Sequence, residues 1–286
     1  MNVKAMFYST CDDKAVNCYL CPHNCVIKQG NTGICRVRKN IDGELYSLNY
    51  GKVSSLALDP IEKKPLFRFY PGSYILSAGS FGCNFKCSFC QNWTIAHETP
   101  DTADIPPDKL VAMAEKYKRE GNIGIAYTYN EPTIWYEFVY ETSRLAKEKG
   151  LKNILVTNGY ISREPLEQIL PYIDAMNIDV KSFNPSFYKN ICRGSLENIK
   201  ETVEISAKKC HVEVTTLLIP GHNDTDEEIE ALSQWLSSIS DQIVLHLTRY
   251  FPNYRMSKPP TPYETLERAK RIALSHLKYV YLGNVF

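Results

Sequence analysis

The stretch Gly82-Cys83-Asn84-Phe85-Lys86-Cys87-Ser88-Phe89-Cys90-Gln91-Asn92 spaces three cysteines as C-x3-C-x2-C, with no fourth cysteine nearby. A cubane iron–sulfur cluster ordinarily takes four thiolates. Three thiolates close together leave one iron without a protein ligand, open to a small molecule. That arrangement suits catalysis, because a cluster that only stores electrons gains nothing from a free corner. Two plainer readings compete. The three thiols can pack as small hydrophobes, or they can belong to a zinc site, which would need a fourth ligand at tetrahedral reach.

Outward from this loop, strand-like apolar runs alternate with helix-like stretches. The strand candidates cover residues 74–78, 123–127, 153–156, 175–180, 211–219, 243–247 and 279–282. Between them, Leu110, Met113, Ala114 and Tyr117 follow Pro107 at helical spacing, and the pattern stops at Gly121. Another amphipathic stretch runs from Trp135 to Gly150. Thr225 ahead of Glu228 reads as a capping box opening a third. A last helix spans about residues 262–276. Such alternation implies parallel strands joined by right-handed crossovers. The expected fold is α/β, a partial (βα)6-type barrel over residues 71–286, preceded by a small cysteine-rich, metal-binding segment over residues 1–70. Nearly every strand candidate ends in a polar or glycine cluster, and in (βα) barrels those ends share one rim, where ligands bind.

The 286 residues are 44% hydrophobic and 23% charged, enough for one sizeable core without disulfide staples. A net charge of +1 gives no field for nucleic acid or an anionic membrane. No run of 18 apolar residues is present, so no membrane span is expected. The N-terminus lacks an apolar core with a small-residue cleavage site, so no secretory signal is expected and the cytoplasm is the expected location. Ten cysteines in such a chain point to metal or cluster chemistry. Cys11, Cys192 and Cys210 stand apart from the two tight groups and read as incidental.

Several further runs carry a family resemblance: Phe89 and Asn92 around the last cysteine of the loop, Cys18-Tyr19-Leu20-Cys21-Pro22-His23-Asn24-Cys25, Gly33-Ile34-Cys35-Arg36-Val37-Arg38, Asp59-Pro60-Ile61-Glu62-Lys63-Lys64-Pro65-Leu66, Arg249-Tyr250-Phe251-Pro252 and Tyr279-Val280-Tyr281-Leu282-Gly283-Asn284. From residue 79 to 249 the pattern is similar to radical S-adenosylmethionine (SAM) enzymes near the pyruvate formate-lyase activating enzymes. Over the whole chain it resembles the radical SAM enzyme of the AmmeMemoRadiSam system.

The resemblance implies that Cys83, Cys87 and Cys90 ligate a 4Fe-4S cluster whose open iron chelates the amino and carboxylate groups of SAM. Asn130-Glu131-Pro132 stands where the family carries Gly-Gly-Glu, and Glu131 would accept hydrogen bonds from the SAM ammonium. The missing glycines put the backbone approach there in question, not the carboxylate. Thr157, Asn158, Asp179 and Lys181 match positions near the SAM carboxylate and ribose. His246 and Arg249 lie where the family places cofactor- and substrate-facing groups. Val156 replaces an acid that holds a monovalent cation in some activases, so no cation is carried over. An external electron, from a donor such as flavodoxin or ferredoxin, would reduce the cluster and split SAM into methionine and a 5′-deoxyadenosyl radical. That radical would abstract hydrogen from an unidentified substrate, under anaerobic conditions. An activase acting on a glycine of a partner protein is one alternative. A non-catalytic zinc-binding adaptor is another, from a different class.

Cys18, Cys21, Cys25 and Cys35 are spaced C-x2-C-x3-C-x9-C. Structural zinc and an auxiliary iron–sulfur cluster are both open there, and free thiols remain a third reading. Tyr127, Tyr129, Trp135 and Tyr136 either line a cavity or pack between helix and barrel. The Glu62-Lys63-Lys64 run reads as a solvated turn or a docking surface, and the proline-rich stretch 251–262 as a rim lid.

Overall fold

A computed structural model describes residues 3–285; Met1, Asn2 and Phe286, and the part of the N-terminal reading that falls on the first two, lie outside them. The apolar runs form one sheet of strands β1 (Ser55–Pro60), β2 (Tyr74–Gly79), β3 (Asn122–Tyr127), β4 (Lys152–Thr157), β5 (Ala175–Asp179), β6 (His211–Leu218), β7 (Val244–Arg249) and β8 (Val280–Gly283), laid side by side in chain order. From β2 to β8 the strands are parallel, and β1 runs antiparallel on β2. Helices α1 (Pro107–Lys116), α2 (Tyr136–Glu148), α3 (Arg163–Ile169), α4 (Leu196–Ser206), α5 (Asp226–Ile239) and α6 (Tyr263–Leu274) bridge successive parallel strands. The α/β expectation therefore holds, with an antiparallel strand added at one edge. The sheet stays open between β1 and β8.

Burial on both faces explains the sequence signal. Ile154 and Leu155 of β4 are both buried although they point to opposite sides, as strands covered by helices on one face require. In α2, Tyr136, Phe138, Val139, Thr142 and Ala146 form the buried stripe. The α5 start differs from a full capping box. Thr225 Oγ accepts from Glu228 N, but the Glu228 carboxylate turns to Ser182 Oγ and Phe183 N (2.7 Å), so it pins the loop after β5 instead.

Residues 61–69 fill the inside of the curled sheet. Ile61 and Leu66 pack against Ile75, Ala126, Ile154 and Ala175 of β2 to β5. Phe67 reaches His246 of β7 and Tyr281 of β8, with ring centres 4.8 and 4.9 Å apart. One short stretch can meet so many strands only if they curve around it. The unit expected over residues 1–70 thus contributes β1 and this plug to the barrel. The stretch concealed its burial because Asp59-Pro60 and Glu62-Lys63-Lys64 break any strand periodicity. Ahead of it stand two small antiparallel sheets, one of Tyr8–Thr10, Val16–Cys18 and Cys25–Ile27, the other of Val3–Lys4, Arg38–Ile41 and Glu44–Ser47.

Candidate active site

Beyond β2 the chain enters the loop of Cys83, Cys87 and Cys90, and hydrogen bonds to the loops after β3 and β4 fix it. Asn84 is fully buried; its Nδ2 donates to Tyr160 O and its Oδ1 accepts from Asn158 Nδ2, both at 2.8 Å. Asn130 accepts from Ser80 N at 2.8 Å and donates to Gly82 O at 3.2 Å. Asn92 Nδ2 donates to Tyr129 O at 2.7 Å. The three thiols line one cavity of about 410 Å³ at the C-terminal rim, with Asn130, Glu131, Thr157, Asn158, Asp179 and Lys181 around it. Amide donors already address one sulfur: Phe85 N lies 3.3 Å and Asn158 Nδ2 3.7 Å from Cys83 Sγ.

Glu131 is buried, and its Oε1 accepts from Thr133 N (2.9 Å) and Thr157 Oγ1 (2.6 Å) while Oε2 accepts from Asn158 N (2.8 Å). Burial nevertheless outweighs these donors and raises its pKa above the ordinary carboxylate value. A cation arriving beside it would favour its charged form. Burial also raises the Cys83 thiol, and the Glu131 carboxylate adds to the rise. Across the cavity, Lys181 Nζ donates to Asp179 Oδ2 at 2.7 Å. Burial works against the Lys181 charge, but Asp179 and the Cys87 sulfur outweigh it and hold the pKa well above normal.

Two expected site residues do not join this set. His246 sits inside the barrel at 2% exposure, its Nε2 2.6 Å from Glu213 Oε2. Glu213 also takes His211 Nε2 at 2.9 Å and the amides of Phe67 (3.0 Å) and Arg68 (2.7 Å). His246 therefore anchors the plug a layer below the rim, where Thr248 of the same strand lines the cavity. Arg249 turns outward, donating from Nε to Thr261 O at 2.8 Å and lying over the Phe251 ring. Of the four aromatics, Tyr129 lines the cavity. Tyr127, Trp135 and Tyr136 are packing groups that bond to Asn153, Asn49 and Pro165. The stretch 251–262 packs against the three-cysteine loop and the helical turn after it, with Arg255 N bonded to Ser88 O and Tyr254 stacked on Trp93.

Sequence reasoning missed Lys64 and Cys192. Lys64 is buried at the cavity wall, paired with Asp59 Oδ2 at 2.9 Å, which also accepts from Tyr129 OH at 2.7 Å. Burial lowers the Lys64 pKa against the pull of Asp59. Cys192 is fully buried beside Cys87, and its carbonyl holds Lys86 N at 3.0 Å. Only the neighbouring Gly194, packed under the Phe85 ring, could have hinted at this proximity.

Residues 79–236, more than half of the chain, match the model of the radical SAM superfamily. The chain belongs to the radical SAM superfamily. An uncharacterized protein of Methanocaldococcus jannaschii is 47% identical across 99% of this radical SAM chain and 85% of its own length. The pyruvate formate-lyase 1-activating enzyme of Escherichia coli is 25% identical, covering 67% of this chain and 85% of its own. SuiB of Streptococcus suis, solved bound to S-adenosylmethionine, shares the fold with a TM-score of 0.57 at 14% identity, over 70% of this chain and 47% of its own.

The family is one of enzymes and implies a 4Fe-4S cluster and SAM. Among the described residues, no three metal-binding side chains already stand in a coordination shell. What suits a cluster is the donor set: three thiols on one cavity, with N–H groups aimed at sulfur and a buried carboxylate and ion pair beside them.

Proposed function

We propose that this chain holds a 4Fe-4S cluster on Cys83, Cys87 and Cys90 and binds SAM against its open iron. The observation that carries this reading is the shared cavity, in which the three thiols face Glu131, Thr157, Asn158, Asp179 and Lys181 across a single rim. When bound, the cluster and SAM supply a 5′-deoxyadenosyl radical by one-electron cleavage. Glu131 receives the SAM ammonium, and Thr157 and Asn158 keep its carboxylate oriented. The Asp179–Lys181 pair offers an acceptor and a donor to a ribose or carboxylate. Asn130 keeps the loop in place through its backbone bonds. The plug beneath the cavity fills the barrel interior with Ile61 and Leu66, which keeps water out of that space.

The electron comes from a donor such as flavodoxin or ferredoxin, in the cytoplasm, and the hydrogen donor is a protein. The activating-enzyme relative supports that substrate class. Membership in a family of enzymes leaves the zinc-only adaptor without support. The test is anaerobic reconstitution with iron and sulfide, reduction by dithionite, and assay of 5′-deoxyadenosine from SAM. Formation of deoxyadenosine that disappears in Cys83→Ala is expected. No deoxyadenosine over hours with a full cluster would sink the proposal. A glycyl-radical signal in an added partner protein would narrow the reading to an activase.

A further inference from the structure

Four other cysteines gather away from that cavity. Cys18 and Cys25 are opposite each other across the antiparallel strands Val16–Cys18 and Cys25–Ile27. Together with Cys21 and Cys35 they line an enclosed cavity of about 10 Å³ that Arg38 also borders. All four are free thiols, and three of them are buried. A space that small is roughly one water's worth, the scale of a single ion.

Arg38 supplies a second, independent sign of a missing partner. It is 1% exposed, its Nη2 donates to Glu137 Oε1 at 2.9 Å and to the Met6 carbonyl, yet its Nε has no acceptor. A buried guanidinium N–H is costly to leave unpaired, and a thiolate beside it would satisfy both hydrogen bonding and charge. The surrounding strands are only two to four residues long, the kind of segment that metal binding folds.

The same turns grip the catalytic loop on both sides. Gly82, at φ +87°, lies so close to Val37 and Cys35 that a Cβ there would come within 2.7 Å of Val37 Cγ1 and 2.9 Å of Cys35 O. His23 Nε2 stands 2.8 Å from Asn84 O, and its ring meets Tyr160 edge-on. Leu20 O accepts from Ser162 N at 3.0 Å. Arg36 donates to Ala96 O at 2.7 Å and to His97 O, just past the loop.

We propose that Cys18, Cys21, Cys25 and Cys35 bind one zinc ion, with Arg38 donating to a thiolate, and that this ion holds the turns that fix the Cys83–Cys90 loop. The sulfurs line the cavity without being drawn into a shell; zinc binding would draw them together, with loss of the thiol protons. Cubane and zinc thus divide the labour, one reacting and one positioning.

Zinc content does not depend on SAM cleavage, so this proposal and the proposed function fail separately. Anaerobically purified holoenzyme should contain one zinc per chain beside the catalytic iron, and zinc-edge absorption should give four sulfurs at about 2.3 Å. Eight irons without zinc, or no metal beyond the catalytic cluster, overturns the zinc site. Cys25→Ser should lose the zinc. Should that variant not fold, His23→Ala carries the test of the clamp, because it leaves all four thiols in place. It should keep its zinc yet release cluster iron to a chelator several-fold faster than the unaltered protein. Unchanged release overturns the positioning role.

Discussion

In the barrel, Ile75, Ala126, Ile154 and Ala175 close around Ile61 and Leu66 with no polar partner required. In the N-terminal segment, four thiols share the interior with buried Val16, Leu20, Ile27 and Leu45, and the buried Arg38 pairs with Glu137 of α2. The two regions are sewn together at the Cys83–Cys90 loop, which the barrel holds through Asn130 and Asn158 and the N-terminal segment through His23 and Val37. Burial of apolar surface is non-directional, so the barrel tolerates repacking. Thiolate and guanidinium contacts are directional, so a single loss in the smaller half should be felt sharply.

The largest effect should come at the site itself. Cys87→Ala should reduce 5′-deoxyadenosine formation to background while the melting curve stays close to that of the unaltered protein. A large fall in melting temperature would mean that the loop, not the barrel, carries stability. Next, Arg38→Ala strands Glu137 in a buried site and should cost about 3–5 kcal/mol, read as a lower denaturant midpoint. Arg38→Met with Glu137→Leu should recover much of it if the pair is only a neutralised burden, and little of it if Arg38 serves a thiolate.

The polar anchor inside the barrel predicts a pH effect. Burial would raise Glu213, but His211, His246 and the Phe67 and Arg68 amides overcome it and depress its pKa to about 2. Its stabilisation is complete above the ordinary carboxylate value near pH 4.3 and is lost as pH falls toward 2, roughly 3 kcal/mol in all. Urea midpoints between pH 6 and 2 should therefore fall less steeply in Glu213→Gln than in the unaltered chain. The smallest effect should be Glu131→Gln, which removes one charge-assisted bond and should weaken SAM binding about 10- to 100-fold in equilibrium titration. Unchanged affinity would move the ammonium to another residue.

The parallel strands were legible because burial on both faces leaves continuous apolar runs, and the rim because polar clusters end them. Period-2 alternation also places His246 and Thr248 on one face of β7, so only depth separates them. Depth is set by Glu213, which lies on another strand, and no local pattern reveals it. Lys64 read as part of a solvated run because its partners, Asp59 and Tyr129, come from β1 and the loop after β3. Arg249 was placed by neighbouring motifs, yet the Thr261 carbonyl captures it. Cys192 looked isolated because its neighbour Cys87 lies on a distant loop, after β2, while Cys192 follows β5.

The most direct measurement is electron paramagnetic resonance of the anaerobically reduced protein with and without SAM. A reduced-cluster signal whose g-values shift on SAM addition, with the shift abolished in Glu131→Gln at low SAM, is the expected result. A signal from a full cluster that SAM leaves unaltered at saturating concentration would contradict an open iron corner at this cavity.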